Sequence, residues 1–476
     1  TSAPPRFQWL IAAASDHAPL KSCPEQLMGA GQLCFSNAAH GGNALYVSLL
    51  AESHDRLLSY MRPMRFYDAE VLPDRISYLS AFPILMKEGP AALQRLLVEE
   101  IRRRNATLVI VDGLFVIHDV FGSEAEFRRF VHEVQGVASL MQSAILMLTN
   151  QSRERSSPEF TMVDGWMELI DEIREARSVR ALVVHKQRGS AYLRGRHVFR
   201  ITDDGIVVFP RLEAAQPRQP ALSSPMARVS SGIAQFDTML QGGYPSTSST
   251  IIIGPSGSGK TTLGLHFLTG STPESPGLMF GFYEPPTHLM AKARAVGVDL
   301  EGLVARGAVE ILWQPVADNL ADELGWRIID TVRRTGAKRV VVDGMEAFDR
   351  ALLFPRRLPT LINALNNILK PLGTTVLYTR EIDELHELRS LPDDLSAKSE
   401  NLVLLHYERH ERLLRRMLSI LKVRDSDFDP FSEEFYVTDQ GIRFGQQPTP
   451  KGRRPAGAAD ISSMAPPSGA ALPSRA

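Results

Sequence analysis

One short motif constrains the fold of this 476-residue chain more than any other feature. Residues Gly254–Thr261 read Gly-Pro-Ser-Gly-Ser-Gly-Lys-Thr and fit the phosphate-binding pattern G-x-x-x-x-G-K-[ST] at every position. The strand-like run Thr250–Ile253 precedes the motif, and the helical stretch Thr262–Leu268 follows it. A strand, a glycine-rich loop and a helix in this order predict a nucleotide-binding α/β domain. The alternative is a glycine-rich turn without a ligand, which the flanking strand and helix disfavour.

The motif is expected to contact phosphate in three ways. Its glycines let the backbone curl so that successive N–H groups point at phosphate oxygens, and the following helix adds its positive end. The Lys260 side chain would neutralise β- and γ-phosphate charge, and the Thr261 hydroxyl would be a ligand of Mg²⁺. We therefore assign ATP binding to Gly254, Pro255, Ser256, Gly257, Ser258, Gly259, Lys260, Thr261 and Thr262.

Two acidic residues follow predicted strands of the same domain. Asp343 ends the apolar run Arg339–Val342 and is the expected Walker B acid, which holds Mg²⁺ through water. Its alternative role is a helix cap or a turn aspartate. Glu284 follows a short apolar strand, where a carboxylate could orient or deprotonate the attacking water. A lone glutamate in this position is otherwise a solvated loop residue.

The chain contains two degenerate copies of one pattern. The Val/Ile-rich runs that end at Asp112 and Asp343 lie 231 positions apart, and the Lys-x-Arg runs that begin at Lys186 and Lys422 lie 236 positions apart. One small insertion reconciles the two spacings. Helical patterns alternate with short strands in both copies. The sequence therefore predicts two tandem α/β domains with mainly parallel sheets, of which the first lacks the phosphate-binding motif.

Composition divides the chain into five expected segments. They are a divergent or incomplete N-terminal segment (1–42), a first domain (43–211), a linker rich in Pro, Ala and Ser (212–227), a second domain (228–444) and a tail (445–476). The tail contains almost no residues that could be buried in a core, so we expect it to be disordered.

Charge and cysteine content exclude several classes of protein. The 53 basic residues balance 54 acidic ones, which argues against a protein whose whole surface binds nucleic acid or an anionic membrane. This balance does not exclude a local basic stripe. Two cysteines are too few for a disulfide framework or a four-ligand zinc site. No apolar run is long enough to span a bilayer. Phe7–Ala14 reaches the lower limit for a signal-peptide core, but ATP is a cytosolic metabolite, so we expect a cytoplasmic protein.

Over about residues 43–210 and 228–444 the chain resembles the KaiC-type members of the RecA-like P-loop ATPases. In the second domain the resemblance is carried by Ser231–Asp237, Gly242–Pro245 and the motif residues described above. It implies two tandem RecA-like domains that assemble into a ring, typically a homohexamer, with ATP between subunits. Protein regulators would be its partners.

The resemblance also implies roles for residues beyond the phosphate loop. Two catalytic glutamates follow the second strand in this family; Glu284 takes the first position, but Pro285 takes the second. If one carboxylate polarises water, hydrolysis survives; if both are needed, the site is slow or only binds ATP. The Lys-x-Arg pair of the family reaches the neighbouring subunit's γ-phosphate, and Lys422 and Arg424 match it. They could also be two solvated cations. The resulting catalytic set is Glu284, Lys260, Lys422 and Arg424.

The first copy departs further from the family pattern. The phosphate-binding motif is absent from residues 1–42, and Leu50 and Ala51 correspond to the glutamate positions, although Asp112 remains. Without the lysine and the hydroxyl, this copy loses the main charge partners for a triphosphate and a metal. We expect it to be a catalytically inactive ring scaffold. An altered or incomplete N-terminus is the alternative explanation.

The resemblance predicts a slow ATPase whose nucleotide state changes subunit packing or partner binding in a signalling process. Relatives of KaiC also autophosphorylate a Ser/Thr pair near the subunit boundary. The corresponding stretch here resembles Leu395–Glu400, in which Ser396 is a candidate acceptor and Ala397 breaks the pair.

Two other functions stay open at this point. A recombination-type ATPase dependent on single-stranded DNA needs a basic groove with aromatic stacking platforms. The basic clusters are Arg102–Arg104, Arg333-Arg334, Arg356-Arg357 and Arg409–Arg416. The first two are expected to end helices, where cations suit the dipole, and no cluster has interleaved aromatic residues. The other function is a scaffold that binds ATP without turnover, which Pro285 and the degenerate first domain would favour.

Overall fold

A computed structural model of the chain describes residues 8–15, 24–50, 54–121, 123–150, 158–174, 176–217, 227–315, 319–382, 399–410, 413–424 and 426–445. Within these residues the strands form two nine-stranded sheets and one two-stranded ribbon.

The first sheet and its helices come from the first half of the chain. Its strands are β1 (Gln8–Ser15), β2 (Ala44–Ser48), β3 (Ile76–Ser80), β4 (Leu108–Asp112), β5 (Ala144–Asn150), β6 (Gly165–Arg174), β7 (Arg177–Gln187), β8 (Arg196–Thr202) and β9 (Gly205–Phe209). Its helices are α1 (Pro24–Ala39), α2 (His54–Met61), α3 (Phe82–Glu88), α4 (Pro90–Arg104), α5 (Leu114–Val120), α6 (Glu124–Met141), α7 (Pro158–Met162) and α8 (Leu212–Ala215).

The second half of the chain builds the ribbon and the second sheet. The strands are β10 (Arg228–Val229), β11 (Tyr244–Pro245), β12 (Ser249–Gly254), β13 (Gly277–Gly281), β14 (Val309–Trp313), β15 (Arg339–Asp343), β16 (Thr375–Glu381), β17 (Asn401–His410), β18 (Leu413–Val423), β19 (Glu433–Thr438) and β20 (Gly441–Phe444). The helices are α9 (Ala234–Met239), α10 (Lys260–Leu268), α11 (Pro286–Ala295), α12 (Leu300–Ala305), α13 (Ala321–Thr335), α14 (Glu346–Ala351) and α15 (Leu358–Leu369).

The two sheets share one strand order. The first reads β3-β2-β4-β5-β1-β6-β7-β8-β9, and the second reads β14-β13-β15-β16-β12-β17-β18-β19-β20. In each sheet the first six strands are parallel, and the last three continue as antiparallel hairpins. This common topology confirms the predicted duplication of an α/β domain with a mainly parallel sheet.

The position of the insertion follows from matching strands. Ala144 and Thr375, which begin β5 and β16, are 231 positions apart, whereas Gly165 and Asn401, which begin β6 and β17, are 236 positions apart. The second domain is therefore longer only in the connection between β16 and β17. That connection contains the candidate acceptor Ser396, which lies outside the described residues.

A β-bulge recurs next to each Lys-x-Arg run. The pairing of β6 with β7 shifts just after Trp166, and the pairing of β17 with β18 shifts just after Leu402. Lys186 is the partner of Trp166, and Lys422 is the partner of Leu402. Because a bulge redirects the side chains beside it, both domains present their Lys-x-Arg runs with the same local geometry.

Helices cover both faces of each sheet because the central strands are apolar on both sides. All six residues of β12 and all five residues of β2 are buried. Parallel strands covered on both faces require such continuous apolar runs. Helix α13 shows the matching pattern, since Leu324, Ile328 and Val332 form part of its buried face, and Gly336, with φ 73°, ends it in the left-handed conformation.

The N-terminal segment supplies the central strand of the first sheet. Strand β1 pairs in parallel with β5 and β6, which is the position that β12 occupies between β16 and β17. Most of the apolar stretch Phe7–Ala14 thus forms a sheet strand, and the segment expected over 1–42 contributes to the first domain. Residues 16–23 follow β1 where the phosphate loop follows β12, and they lie outside the described residues.

The start of the predicted linker packs onto the second domain. Leu212 of α8 is completely buried within a core cluster of the second domain. A Cβ atom at Gly325 of α13 would lie 2.4 Å from Leu212 Cδ1, so the glycine makes room for this side chain. Arg357 Nη2 reinforces the contact by donating at 2.6 Å both to Glu213 and to Asp322. This junction ties the two domains together through one buried leucine and an ion-pair triad.

We expect Leu212→Ala to lower the free energy of unfolding by about 2–5 kcal/mol, because it leaves a cavity in this core. Chemical denaturation followed by circular dichroism measures the change. Leu193→Ala is the control, since Leu193 is 41% exposed. Equal denaturation midpoints for the two variants would contradict a stabilising role of the junction.

Candidate active site

The predicted phosphate loop joins the end of β12 to the start of α10. The backbone at Gly257 and Gly259 has φ 73° and 110°, in the left-handed region that favours glycine. A Cβ atom at Gly254 would lie 2.5 Å from the carbonyl oxygen of Leu405 on β17, so this position also requires glycine. The loop therefore turns tightly onto the amino end of α10, where helix N–H groups can bind an anion.

Lys260 is folded back across the loop. Its Nζ donates to the carbonyl oxygens of Gly254 at 2.7 Å and Pro255 at 2.8 Å. Burial lowers the pKa of Lys260, although the carboxylates of Glu381 and Glu346 oppose this shift. The ammonium group is thus incompletely compensated, and the phosphates of a nucleotide would supply the missing negative charge.

Asp343 lies at the carboxyl end of β15, beside the loop. Thr261 Oγ1 is 3.2 and 3.0 Å from its two carboxylate oxygens, and Thr379 Oγ1 donates to Oδ1 at 2.6 Å. Burial raises the pKa of Asp343 despite these two hydroxyl donors. A carboxylate and a hydroxyl with uncompensated negative charge fit Mg²⁺, which in such sites binds one or two carboxylates together with phosphate and water. Across the described part of the chain, no three His, Cys, Asp or Glu side chains cluster as a separate metal site.

Glu284 lies on the same cleft, just after β13. Its Oε1 accepts from Lys292 Nζ at 2.6 Å, and its Oε2 is buried without a hydrogen-bond partner among the described residues. The cleft has a volume of about 330 Å³ and is also lined by Lys260, Thr261 and Asp343. The structure thus brings together the predicted phosphate, metal and water-activating side chains.

The cleft contains four further polar side chains that the sequence analysis did not identify. They are Thr379, Lys292, Glu346 and Glu381. Thr379 could have been predicted from the sequence, because it lies near the end of the strand that follows the Asp343 strand. In the structure the two residues are paired in the sheet. No sequence pattern predicts the role of Lys292, because only the folding of α11 brings its side chain to Glu284. Burial raises the pKa of Glu346.

Lys422 and Arg424 lie near the amino-terminal ends of the parallel strands, whereas the phosphate loop of their own chain follows the carboxyl end of β12. Lys422 Nζ donates to the carbonyl oxygen of Ser399 at 2.7 Å, and the Arg424 backbone N–H donates to the side chain of Asn401 at 3.4 Å. Asn401 pairs with Thr250 near the start of β12, whereas the loop leaves the end of that strand about 13 Å away. The structure does not bring these two predicted catalytic cations to their own nucleotide site.

The corresponding acid of the first domain has different neighbours. Asp112 accepts a hydrogen bond from Tyr46 Oη at 2.8 Å, and Leu148 is paired with it where Thr379 is paired with Asp343. Burial raises the pKa of Tyr46, which keeps its hydroxyl protonated and able to donate. Lys186 Nζ donates to a backbone carbonyl, that of Thr161, at 2.7 Å.

Several predicted features of the first domain and of the tail fall outside the described residues. These are the segment 16–23, Ala51 and the tail beyond residue 445. The described neighbour of Ala51, Leu50, donates its backbone N–H to Ser48 Oγ at 3.2 Å.

The basic clusters are mostly used within the fold. Arg102–Arg104 occupy the last turn of α4, and Arg333 and Arg334 the last turn of α13, as predicted. The Arg416 guanidinium carbon lies 5.9 Å from the centre of the Tyr407 ring, a cation–aromatic contact that the sequence analysis did not expect. Arg416 Nε also donates to a phosphate-loop carbonyl, that of Gly257, at 3.4 Å.

A search of the described helices finds none that is both long and apolar enough to cross a membrane.

Comparison with known proteins identifies similar sequences over most of the chain. The family profile described as "ATPase: KaiC" matches residues 30–213 and 229–449. The "Circadian clock oscillator protein KaiC 1" of Synechocystis sp. is 25% identical over 349 residues, which are 72% of this chain and 66% of that protein. The corresponding protein of Synechococcus elongatus is 26% identical over 72% of this chain and 66% of its own length. The chain thus covers just under two thirds of these relatives.

We expect Asp343→Asn to stabilise the metal-free protein at pH 7 by about 1 kcal/mol, because it removes a buried carboxylate that forms no ion pair among the described residues. The folded-state pKa of Asp343 lies above its unfolded value, so the stability of the wild type falls as the pH rises through that pKa. The advantage of the asparagine variant should therefore grow with pH. Thermal unfolding in chelator measures it.

The control for this substitution is Asp330→Asn, because the Asp330 side chain on α13 is 66% exposed. In the presence of Mg-ATP the wild type should be the more stable protein, because asparagine binds the metal more weakly than aspartate does. A variant that is less stable than the wild type in chelator would contradict the charge imbalance at Asp343.

Proposed function

Because this chain belongs to the KaiC ATPase family, we propose that its second domain binds Mg-ATP and hydrolyses it slowly, at subunit interfaces of a hexameric ring, to drive a regulatory conformational change. The observation that carries this proposal is the cleft in which Lys260, Thr261, Asp343 and Glu284 meet. Such a site combines phosphate binding, metal binding and water activation. We expect the protein to act in the cytoplasm, where ATP is available.

The residues of the cleft have separate roles in the proposed reaction. Lys260 would exchange its two loop carbonyls for β- and γ-phosphate oxygens. Thr261 and Asp343 would hold Mg²⁺, which neutralises phosphate charge when bound. Glu284 Oε2 would take a proton from the attacking water while the water oxygen bonds to the γ-phosphorus. The bond from that phosphorus to the bridging oxygen breaks, and ADP leaves with the electron pair.

The location of the Lys-x-Arg run supports an interface mechanism. Lys422 and Arg424 lie at the end of the sheet opposite to their own phosphate loop, near the amino-terminal ends of the parallel strands, and Arg424 is exposed. If a neighbouring subunit placed its phosphate loop against this end of the sheet, both cations would lie near the γ-phosphate bound to that subunit. They would stabilise the charge that develops on the transferred phosphoryl group. An isolated subunit should accordingly be a poor ATPase.

We propose that the first domain is a ring scaffold without turnover. Tyr46 Oη donates a hydrogen bond to its acid, Asp112, and Leu148 replaces the threonine that is paired with the acid of the second domain. Binding of ATP without turnover by the second domain is the alternative that Pro285 leaves open. Glu284 favours turnover, because it lines the same cleft as Lys260 and one of its oxygens is buried without a hydrogen-bond partner among the described residues. Phosphorylation at Ser396 stays a prediction.

We expect one Mg-ATP to bind per chain, and Lys260→Ala to weaken that binding at least about 10-fold, because the phosphates lose their main cation. Titration with a fluorescent ATP analogue measures the affinity and the stoichiometry. Lys338→Ala is the matched control, since Lys338 contacts the carbonyl oxygen of Leu372 outside the cleft. Two equivalent sites per chain, or unchanged affinity in Lys260→Ala, would contradict this assignment.

We expect Lys422→Ala to bind ATP normally and to release phosphate about 100-fold more slowly, because its γ-phosphate partner lies on another subunit. Mixing Lys422→Ala with Lys260→Ala subunits should restore part of the activity, since some interfaces then combine an intact loop with an intact lysine. Phosphate release and label transfer from γ-labelled ATP are the measurements.

The control in this mixing experiment is Lys186→Ala, the equivalent change in the first domain, which should leave turnover unchanged. If the two inactive variants stay inactive when mixed under conditions where rings form, Lys422 does not act between subunits. Label on the protein instead of free phosphate would indicate a kinase.

A further inference from the structure

We propose that Lys292 is a positioning residue that holds one oxygen of Glu284 so that the other oxygen faces the attacking water. This inference rests on the proposed ATPase function and adds a residue to its machinery. It also assigns to a cation the orienting task that a second carboxylate at position 285 cannot perform in this chain, because that residue is proline.

The contact between the two side chains is close and lies inside the nucleotide cleft. Lys292 Nζ is 2.6 Å from Glu284 Oε1, and the two side chains are 37% and 36% exposed. Glu284 lies in the loop before α11, and Lys292 is in the second turn of that helix, so the helix fixes the separation of the pair. Both residues line the cavity with Lys260 and Asp343.

The second carboxylate oxygen of Glu284 indicates which ligand the Lys292–Glu284 pair could bind. Glu284 Oε2 is buried and has no hydrogen-bond partner in the described part of the chain. A buried polar atom without a partner is costly, so it is expected to be satisfied by a water molecule or a ligand. Because Oε1 is occupied by Lys292, Oε2 is the carboxylate oxygen that would accept from a water molecule bound between Glu284 and the nucleotide.

The charges around Lys292 favour contact with Glu284 over contact with phosphate. Lys260 already lies at the loop, where it would supply the phosphate cation, whereas Lys292 Nζ is 2.6 Å from Glu284 Oε1. A second ammonium at the same phosphate would be repelled by the first. The position of Lys292 therefore suits an ammonium that balances the carboxylates on the water side of the cleft.

The experiment compares Lys292→Met and Lys292→Arg with the wild-type full-length chain. Three quantities are measured for each protein: the Kd of a fluorescent ATP analogue with Mg²⁺, the single-turnover rate of phosphate release, and the thermal unfolding midpoint. Arg294→Met is the matched control, because Arg294 lies on the same helix and forms an ion pair of the same length, 2.6 Å, with Glu301 outside the cleft. Lys292→Gln is added in case the methionine variant unfolds.

We expect Lys292→Met and Lys292→Gln to slow phosphate release about 10-fold or more with the Kd within about twofold of the wild type. Lys292→Arg should recover most of the rate, and Arg294→Met should match the wild type. A Kd weakened in parallel with the rate would make Lys292 a phosphate ligand and overturn the proposal. Unchanged rates in both neutral variants would overturn it as well.

The outcome for the wild type separates this proposal from the proposed function. If the wild-type chain binds Mg-ATP but releases no phosphate under ring-forming conditions, the hydrolytic function and the role of Lys292 both fail. If the wild type turns over and only the Lys292 variants behave like the control, the ATPase assignment stands without a role for Lys292.

Discussion

The nucleotide cleft of the second domain is built around a buried carboxylate that forms no ion pair with another described residue. Asp343 lies where the ends of β15, β16 and the phosphate loop converge, and the hydroxyls of Thr261 and Thr379 contact it without cancelling the cost of burial. Such a charge is tolerated when a bound cation compensates it in the working state. The same constraint explains why Lys260 is folded onto loop carbonyls, since the two uncompensated charges would both be satisfied by Mg-ATP.

Duplication followed by divergence explains the contrast between the domains. Both sheets have the same strand order, the same bulge and the same Lys-x-Arg location. They differ at the strand ends that surround the acid, where Tyr46 and Leu148 enclose Asp112 with one phenol and one apolar side chain. Both Tyr46 and Leu148 are buried in a core cluster of the first domain, so packing side chains there take the place of the hydroxyl groups that surround Asp343.

The junction between the domains gives the duplicated fold a means of coupling. Leu212 fills a space that Gly325 leaves in α13, and Arg357 joins acids from both sides of the contact. Arg357 directly precedes α15, and α13 and α15 pack against each other in the core cluster of the second sheet. A displacement of the first domain would therefore act on helices of the second domain through buried contacts.

Several features could be predicted from the sequence because they depend on local pattern. The phosphate loop and the strand-end acid are each read from residues close together in the chain, and the duplication from short local patterns that recur 231 and 236 positions later. Glycine spacing and apolar runs report directly on backbone geometry. The position of Phe7–Ala14 was harder to predict, since a short apolar run is compatible with a signal segment and with a central strand, and only the pairing of β1 with β5 and β6 distinguishes them.

The sequence by itself determined the fold class and predicted the phosphate loop and the residues that would hold a nucleotide and a metal, because each follows from backbone requirements encoded over a few positions. Only the tertiary structure decided that Thr379 donates a hydrogen bond to Asp343 and that Lys292 pairs with Glu284. It also decided that Lys422 lies at the end of the sheet opposite to its own phosphate loop. These relationships join residues from separate elements, and strand order and helix packing set the distances between them.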